Sequence, residues 1–116
     1  MTAQEQNFLE IMAYVFLQNA RPDRAAVLLQ ALDALHPGQA QVLRALALAQ
    51  VRSAKPERAL QNLERLAMAG GVDATFHLLR AQALQALKRT DEAAQAMQLY
   101  VQLRPTHPAL ARQADN

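Results

Sequence analysis

One short phrase recurs along this chain at a fixed spacing of about 34 residues, within the range that is typical of stacked repeats. Ala25, Ala59 and Ala93 are evenly spaced, and each ends a similar phrase, Pro-Asp-Arg-Ala, Pro-Glu-Arg-Ala or Thr-Asp-Glu-Ala. Such self-similarity is the signature of proteins whose units stack on their own copies. The period therefore predicts three similar stacked units, and it favours binding over catalysis as the function.

The same period holds at positions that would pack. Small residues allow two helices to cross closely, whereas large apolar residues fill the space between units. Relative to the three alanines, the corresponding residues are Ala13, Ala47 and Ala81 twelve positions before, Leu29, Leu63 and Met97 four after, Leu32, Leu66 and Tyr100 seven after, and Pro37, Gly71 and Pro105 twelve after.

Each unit is predicted to be a helical hairpin. Apolar residues make up 52% of the chain and aromatic residues only 4%, and most of the apolar residues are the strong helix formers Ala and Leu. Pro22 and Pro56 suit the first turn of a helix, while Pro37, Pro105 and the Gly70–Gly71 pair suit helix ends. The predicted helices span 4–19, 22–35, 39–53, 56–69, 73–87 and 90–103.

A helix–turn–helix unit of this length resembles the tetratricopeptide repeat. The resemblance predicts an all-α solenoid of three repeats, about 6–39, 40–73 and 74–107, in one domain over residues 1–116, with 108–116 as a short cap or tail. One departure is Gln50, which occupies a slot where the first and third units have Phe16 and Leu84.

The resemblance also implies a concave surface that is lined by the first helix of each repeat. An apolar strip with the basic edges Arg44 and Arg52 favours an amphipathic helix or an extended apolar segment of a partner protein, and Tyr14 is the residue most expected to contact it. The implied groove residues are Asn7, Glu10, Ile11, Tyr14, Leu17 and Gln18, then Gln41, Arg44, Ala45, Leu48, Val51 and Arg52, then Thr75, Leu78, Leu79, Gln82, Gln85 and Ala86. The alternative is that part of this strip belongs to the ordinary core between helices.

The end of the last repeat is a second candidate surface. Solenoids usually close with a polar capping helix, but residues 108–112 are too few to cover the last helix. Leu99, Val101 and Leu103 are therefore expected to contact a partner or a second copy. The alternative is that this helix is simply amphipathic and that the last residues fray.

Residues typical of an active site are scarce. The chain has no Cys, a single Ser at position 53 in a turn, and three histidines, His36, His77 and His107, that are widely separated in sequence. We therefore expect no enzymatic activity, catalytic residue, metal or cofactor. A net charge of +2 without a cluster of Lys or Arg argues against nucleic acid. No apolar run of about 18 residues and no signal-peptide pattern occur, so we expect a cytoplasmic protein.

Beyond the bare repeat, the chain resembles the small chaperones of bacterial type III secretion, in particular the SctY/YscY group. The resemblance depends on the length, on residues 5–10 (Glu-Gln-Asn-Phe-Leu-Glu), on residues 24–32 followed by Pro37, and on residues 79–84 followed by Asp91-Glu92-Ala93. It implies a cytosolic chaperone that binds an early export partner of the SctX type, keeps it soluble in a heterodimer, and delivers it to the export gate SctV.

Two other functions remain open at this point. A chaperone of the translocator class would hold an extended client segment in the same groove, although those relatives usually carry longer N-terminal segments. A structural adaptor would instead join two subunits of a bacterial assembly without any role in export.

Overall fold

Six helices account for most of residues 1–105, which are the residues that the computed structural model describes. Their bounds lie within one residue of the predicted ones, and no strand occurs among the described residues. The predicted cap at 108–116 and the end of the third repeat lie outside them. The helices are α1 (Ala3–Gln18), α2 (Pro22–Leu35), α3 (Ala40–Arg52), α4 (Pro56–Met68), α5 (Ala74–Ala86) and α6 (Thr90–Leu103).

Side-chain caps and prolines define where several helices begin. The hydroxyl of Thr2 accepts a hydrogen bond from the backbone N–H of Glu5 at 3.1 Å at the start of α1. The carboxylate of Asp73 does the same for the N–H of Phe76 at 2.9 Å at the start of α5. These bonds satisfy N–H groups that have no partner within the helix. A proline occupies the first turn of α2 and of α4, where a missing N–H costs nothing.

The three turns inside the hairpins share one backbone geometry. Ala20, Ala54 and Lys88 have left-handed φ angles of 57°, 60° and 62°. In each turn the next N–H donates to a carbonyl five residues back, which is the bond of a Schellman motif. The three bonds run from Arg21 to Phe16 at 2.7 Å, from Lys55 to Gln50 at 2.8 Å and from Arg89 to Leu84 at 2.9 Å. The turn geometry therefore repeats at the same interval as the sequence.

Every helix packs against the next helix along the chain. In addition, α1 contacts α3 and α3 contacts α5. Among the described residues, no Cα atom of α2 lies within 8 Å of α4, and none of α4 lies within 8 Å of α6. The molecule is elongated, with principal extents of 53, 32 and 27 Å. The backbones of the odd-numbered helices therefore approach one another more closely than those of the even-numbered helices.

The core runs along the molecule as three successive clusters. The first joins α1, α2 and α3, the second joins α3, α4 and α5, and the third joins α5 and α6. All six alanines of the two small-residue positions are buried, at 5% exposure or less, as the period predicts: Ala13, Ala47, Ala81, Ala25, Ala59 and Ala93. The small residues therefore lie in the core where pairs of helices meet.

Candidate functional site

The predicted partner-binding residues lie on α1, α3 and α5, and most of them remain accessible. Tyr14, Arg52 and Gln82 are exposed, and Leu48 is half-buried. The even spacing of Tyr14, Leu48 and Gln82 matches the repeat period, so they occupy the same position in successive odd-numbered helices. We call the accessible residues the odd-helix face: Asn7, Glu10, Tyr14, Gln18, Gln41, Arg44, Leu48, Val51, Arg52, Thr75, Leu78, Gln82, Gln85 and Ala86.

Leu17 and Leu79 do not lie on this face. Their side chains are only 7% and 2% exposed, and they belong to the first and second core clusters. Ala45 is likewise 5% exposed. Leu17 packs with residues of α2 and α3, and Leu79 packs with residues of α3 and α4. We therefore remove these three residues from the binding set.

Ile11 is exposed, but it lies apart from the odd-helix face. Its counterparts at the same repeat position in α3 and α5 are Ala45 and Leu79, which pack in the core. A side chain at this repeat position therefore lies on the side of its helix that packs against the preceding helix. For α1 that side lies at the N-terminal end of the stack.

The apolar strip is narrower than the sequence predicts. Leu48 packs against both the first and the second core clusters, and Val51 packs against the second. Leu78 is also half-buried. Only the outer parts of these three side chains, together with Tyr14, offer apolar surface to a partner. A ligand on this face would meet one aromatic ring and aliphatic edges within a largely polar surround.

The two predicted basic residues differ in their surroundings. The guanidinium of Arg44 pairs with the carboxylate of Asp73 at 3.3 Å and donates to the carbonyl of Gly71 at 3.5 Å. Arg44 therefore ties α3 to the turn before α5. Arg52 is exposed and makes no salt bridge within residues 1–105. Arg52 is thus the cation of this face that is available to a carboxylate of a partner.

A glutamine–glutamate contact links the first two odd-numbered helices. The side-chain amide of Gln41 donates to the carboxylate of Glu10 at 3.3 Å. The face therefore carries a carboxylate, Glu10, on α1 and, on α3, the exposed guanidinium of Arg52, which has no salt bridge within residues 1–105. A bound helix would meet opposite charges on these two helices.

Sequence reasoning missed a polar network that begins at Gln50. The side-chain oxygen Oε1 of the buried Gln50 accepts a hydrogen bond from the side-chain amide of Asn62 at 2.9 Å. Asn62 in turn accepts from Arg65 at 3.1 Å, and Arg65 forms two bonds of 2.6 and 3.0 Å to Asp33. Asp33 also accepts from the N–H of Gly38 at 3.1 Å. The network joins α2, α3 and α4, and it provides a hydrogen-bond partner for the side-chain oxygen of the glutamine that departs from the repeat.

The hydrogen bond from Arg65 lowers the pKa of Asp33 below its ordinary value, and the N–H of Gly38 acts in the same direction. Because the folded-state pKa is lowered, the stabilisation is complete above the unfolded pKa of about 3.9 and is lost as the pH falls through the folded-state value. The Asp33 side chain is 14% exposed and that of Arg65 is 40% exposed. Solvent therefore screens part of the attraction.

We expect Asp33→Asn to lower the free energy of unfolding at pH 7 by about 1 kcal/mol. The difference from the wild type should begin to shrink below about pH 4, where the Asp33 carboxyl of the unfolded chain becomes protonated, and should vanish below the lowered folded-state pKa. Urea unfolding at a series of pH values measures this. Glu64→Gln is the control, because Glu64 is exposed and has no salt bridge among residues 1–105. It should lower the free energy of unfolding by less than about 0.5 kcal/mol. A pH-independent loss for Asp33→Asn would contradict the assignment.

No protein-family model matches the chain, and no curated protein matches it. Within the described part of the chain, no helix combines the length and apolar character needed to cross a membrane. Across residues 1–105, no three His, Asp or Glu side chains lie together in a way that could hold a metal ion.

Proposed function

We propose that this protein is a three-repeat tetratricopeptide-type solenoid that binds a helical segment of a partner protein on its odd-helix face. The observation that carries the proposal is that α3 contacts both α1 and α5, while the Cα atoms of α4 stay more than 8 Å from those of α2 and α6 in the described residues. A stack with this asymmetry curves toward its odd-numbered helices. The row of Tyr14, Leu48 and Gln82 then lies on the inner side.

The composition of the face supports a helical ligand. Tyr14 supplies a large apolar area with a polar tip, and the exposed edges of Leu48 and Leu78 continue the apolar line at the other two repeats. Polar residues flank this line, and Arg52 can pair with a carboxylate on the ligand. An amphipathic helix presents this complement, with one apolar stripe and polar sides.

The more specific proposal is a cytosolic chaperone of type III secretion in the manner of the SctY group. The client would be an early export partner of the SctX type, and the pair would dock on a SctV-type export gate. Support comes from the resemblance in residues 5–10, 24–32 and 79–84. A chaperone of this kind acts by covering apolar surface and requires neither catalysis nor a cofactor.

Co-expression with a SctX-type protein from the same genome tests the proposal. The client should move from the insoluble to the soluble fraction only when the chain is present. A client that is soluble alone would instead favour the adaptor. Binding of an extended client peptide, with no gain of helicity in circular dichroism, would favour the translocator-chaperone alternative.

Tyr14→Ala combined with Arg52→Glu should weaken client binding by about 10- to 100-fold, because each residue is an exposed anchor of a type common at binding hot spots. Isothermal titration calorimetry against the purified client measures the affinity. The matched control is Val27→Ala with Met68→Glu, which changes two exposed residues on α2 and α4. Unchanged affinity in the first variant, with helicity retained, would exclude the odd-helix face.

A further inference from the structure

The outer side of α1 is apolar and has no neighbour among residues 1–105. Phe8, Ile11 and Val15 are 61%, 60% and 39% exposed, and they are spaced so that they form one stripe along the helix. The counterparts of these residues are buried in both later repeats. They are Val42, Ala45 and Ala49 in α3, and Phe76, Leu79 and Ala83 in α5.

The buried counterparts show which kind of surface this stripe can pack against. In α5, Phe76 lies at a cavity whose other walls include Leu60, Leu63, Glu64 and Ala67 of α4. Phe76 is therefore the side chain through which α5 packs against α4, the even-numbered helix before it. Phe8 occupies the same position in the first repeat, and it has no such helix before it in residues 1–105.

Within residues 1–105, the matching surface is uncovered on α6. A pocket on α6 is lined by Ala94, Met97, Gln98 and Val101, together with Gln102. The first four are the counterparts, one repeat later, of the α4 residues that surround Phe76. Leu63 is 1% exposed, whereas its counterpart Met97 is 39% exposed. The α6 pocket is therefore the surface that receives the next helix in the interior of the stack, and no helix of residues 1–105 covers it.

We propose that these two ends bind each other between copies of the chain, so that α1 of one copy packs on α6 of the next with Phe8 in the pocket at Met97. The contact repeats between molecules the α4–α5 junction that the chain already forms within itself. Two features favour a second copy as the occupant. The chain supplies an odd-numbered helix with an exposed Phe at the required position, and its α6 carries a pocket lined by the counterparts of the α4 residues around Phe76.

The association is of the head-to-tail type, since the two surfaces are different. Such contacts leave a free end on each side and produce open chains of molecules unless the rotation closes a ring. One helix junction is smaller than the roughly 1,200–2,000 Å² that stable complexes bury. The assembly should therefore be reversible and dependent on concentration. This inference goes beyond the proposed function, because it uses surfaces other than the odd-helix face.

Sedimentation equilibrium of the full chain from micromolar to millimolar concentration tests the proposal. The weight-average mass of the wild type should rise steadily past that of a dimer. Phe8→Glu blocks the α1 side and Met97→Glu blocks the α6 side, so each variant alone should remain monomeric. An equimolar mixture should form a two-chain species and nothing larger, because Phe8→Glu still offers α6 and Met97→Glu still offers α1.

Val27→Glu is the control, since it places the same charge on an exposed apolar residue away from both ends, and it should associate like the wild type. Circular dichroism should show all variants equally helical. A monomeric wild type would overturn the proposal, and so would association of either blocked variant alone, a monomeric mixture, or loss of association in Val27→Glu. A monomeric wild type that still binds client through Tyr14 would leave the proposed function intact.

Discussion

Leu63→Ala is expected to lower the free energy of unfolding by about 2–5 kcal/mol. Leu63 is 1% exposed and lies in the second core cluster with Leu43, Leu66 and Phe76. Truncation removes apolar contacts and leaves a cavity between three helices, which packed neighbours fill only in part. For a domain of this size, the loss corresponds to a decrease in melting temperature of about 10 °C or more. Urea and thermal unfolding monitored by circular dichroism measure both quantities.

Met97→Ala is the matched control, because Met97 occupies the same repeat position in α6. Its side chain is 39% exposed, so truncation should cost about 0.5 kcal/mol or less at low micromolar concentration. Equal losses for the two variants would contradict the assignment of α6 as the open end of the stack. The two variants therefore compare the energetic cost of truncation at the same repeat position in α4 and in α6.

Gly71→Ala should destabilise the protein by about 1–3 kcal/mol. A Cβ atom at this position would lie 2.2 Å from Cδ1 and 2.8 Å from Cγ of Leu66, and 3.2 Å from its carbonyl oxygen. Leu66 is fully buried, so its side chain has little room to move away. The backbone of Gly71 is also engaged, since its N–H donates to the carbonyl of Leu66 at 2.9 Å. Thermal unfolding of the variant measures the loss.

A double-mutant cycle with Leu66→Ala identifies the cause. If the added methyl group clashes with the leucine side chain, Gly71→Ala should cost about 1 kcal/mol less when Leu66 is already truncated. Additive losses would show that another contact is responsible. Gly70→Ala serves as a comparison, because Gly70 has a φ of 81° and open space around its Cβ position. That variant should show only the cost of a left-handed alanine, about 1 kcal/mol.

The sequence was sufficient to predict the six helices and the alanines where they meet. Both depend on local preference and on a period that recurs three times, so each repeat supports the interpretation of the others. The Gly70–Gly71 turn was predicted to end a helix, but the sequence does not show why two glycines are needed there. Gly70 supplies the left-handed φ, and Gly71 gives room for Leu66. The second requirement is a contact in three dimensions that no residue preference encodes.

Gln50 shows a similar limit. At a position that takes Phe16 and Leu84 in the other units, a glutamine has no local explanation. Its partner Asn62 lies on the next helix, α4, and the network continues to Asp33 on α2. A polar substitution in a core becomes intelligible only when the partner that satisfies it is known.

The accessibility of the proposed binding face could be predicted only in part. Tyr14 and Arg52 are exposed where the repeat pattern places them, but Leu17 and Leu79 are core residues. Helix periodicity shows which residues share a side, and it does not show how widely neighbouring helices cover that side. Ile11 illustrates the reverse case, since its counterparts are buried and it is exposed because no helix of residues 1–105 precedes α1.

The separation of the even-numbered helices has a consequence for how the molecule can grow or shrink. Because each helix of residues 1–105 contacts only the helices one or two places away along the chain, the packing energy is a sum of contributions between near neighbours. Adding or deleting a whole hairpin would change the number of helix–helix contacts and leave the contacts between the other helices unchanged. The chain length is thus an adjustable parameter of this architecture, in contrast to a globule whose ends meet in one shared interior.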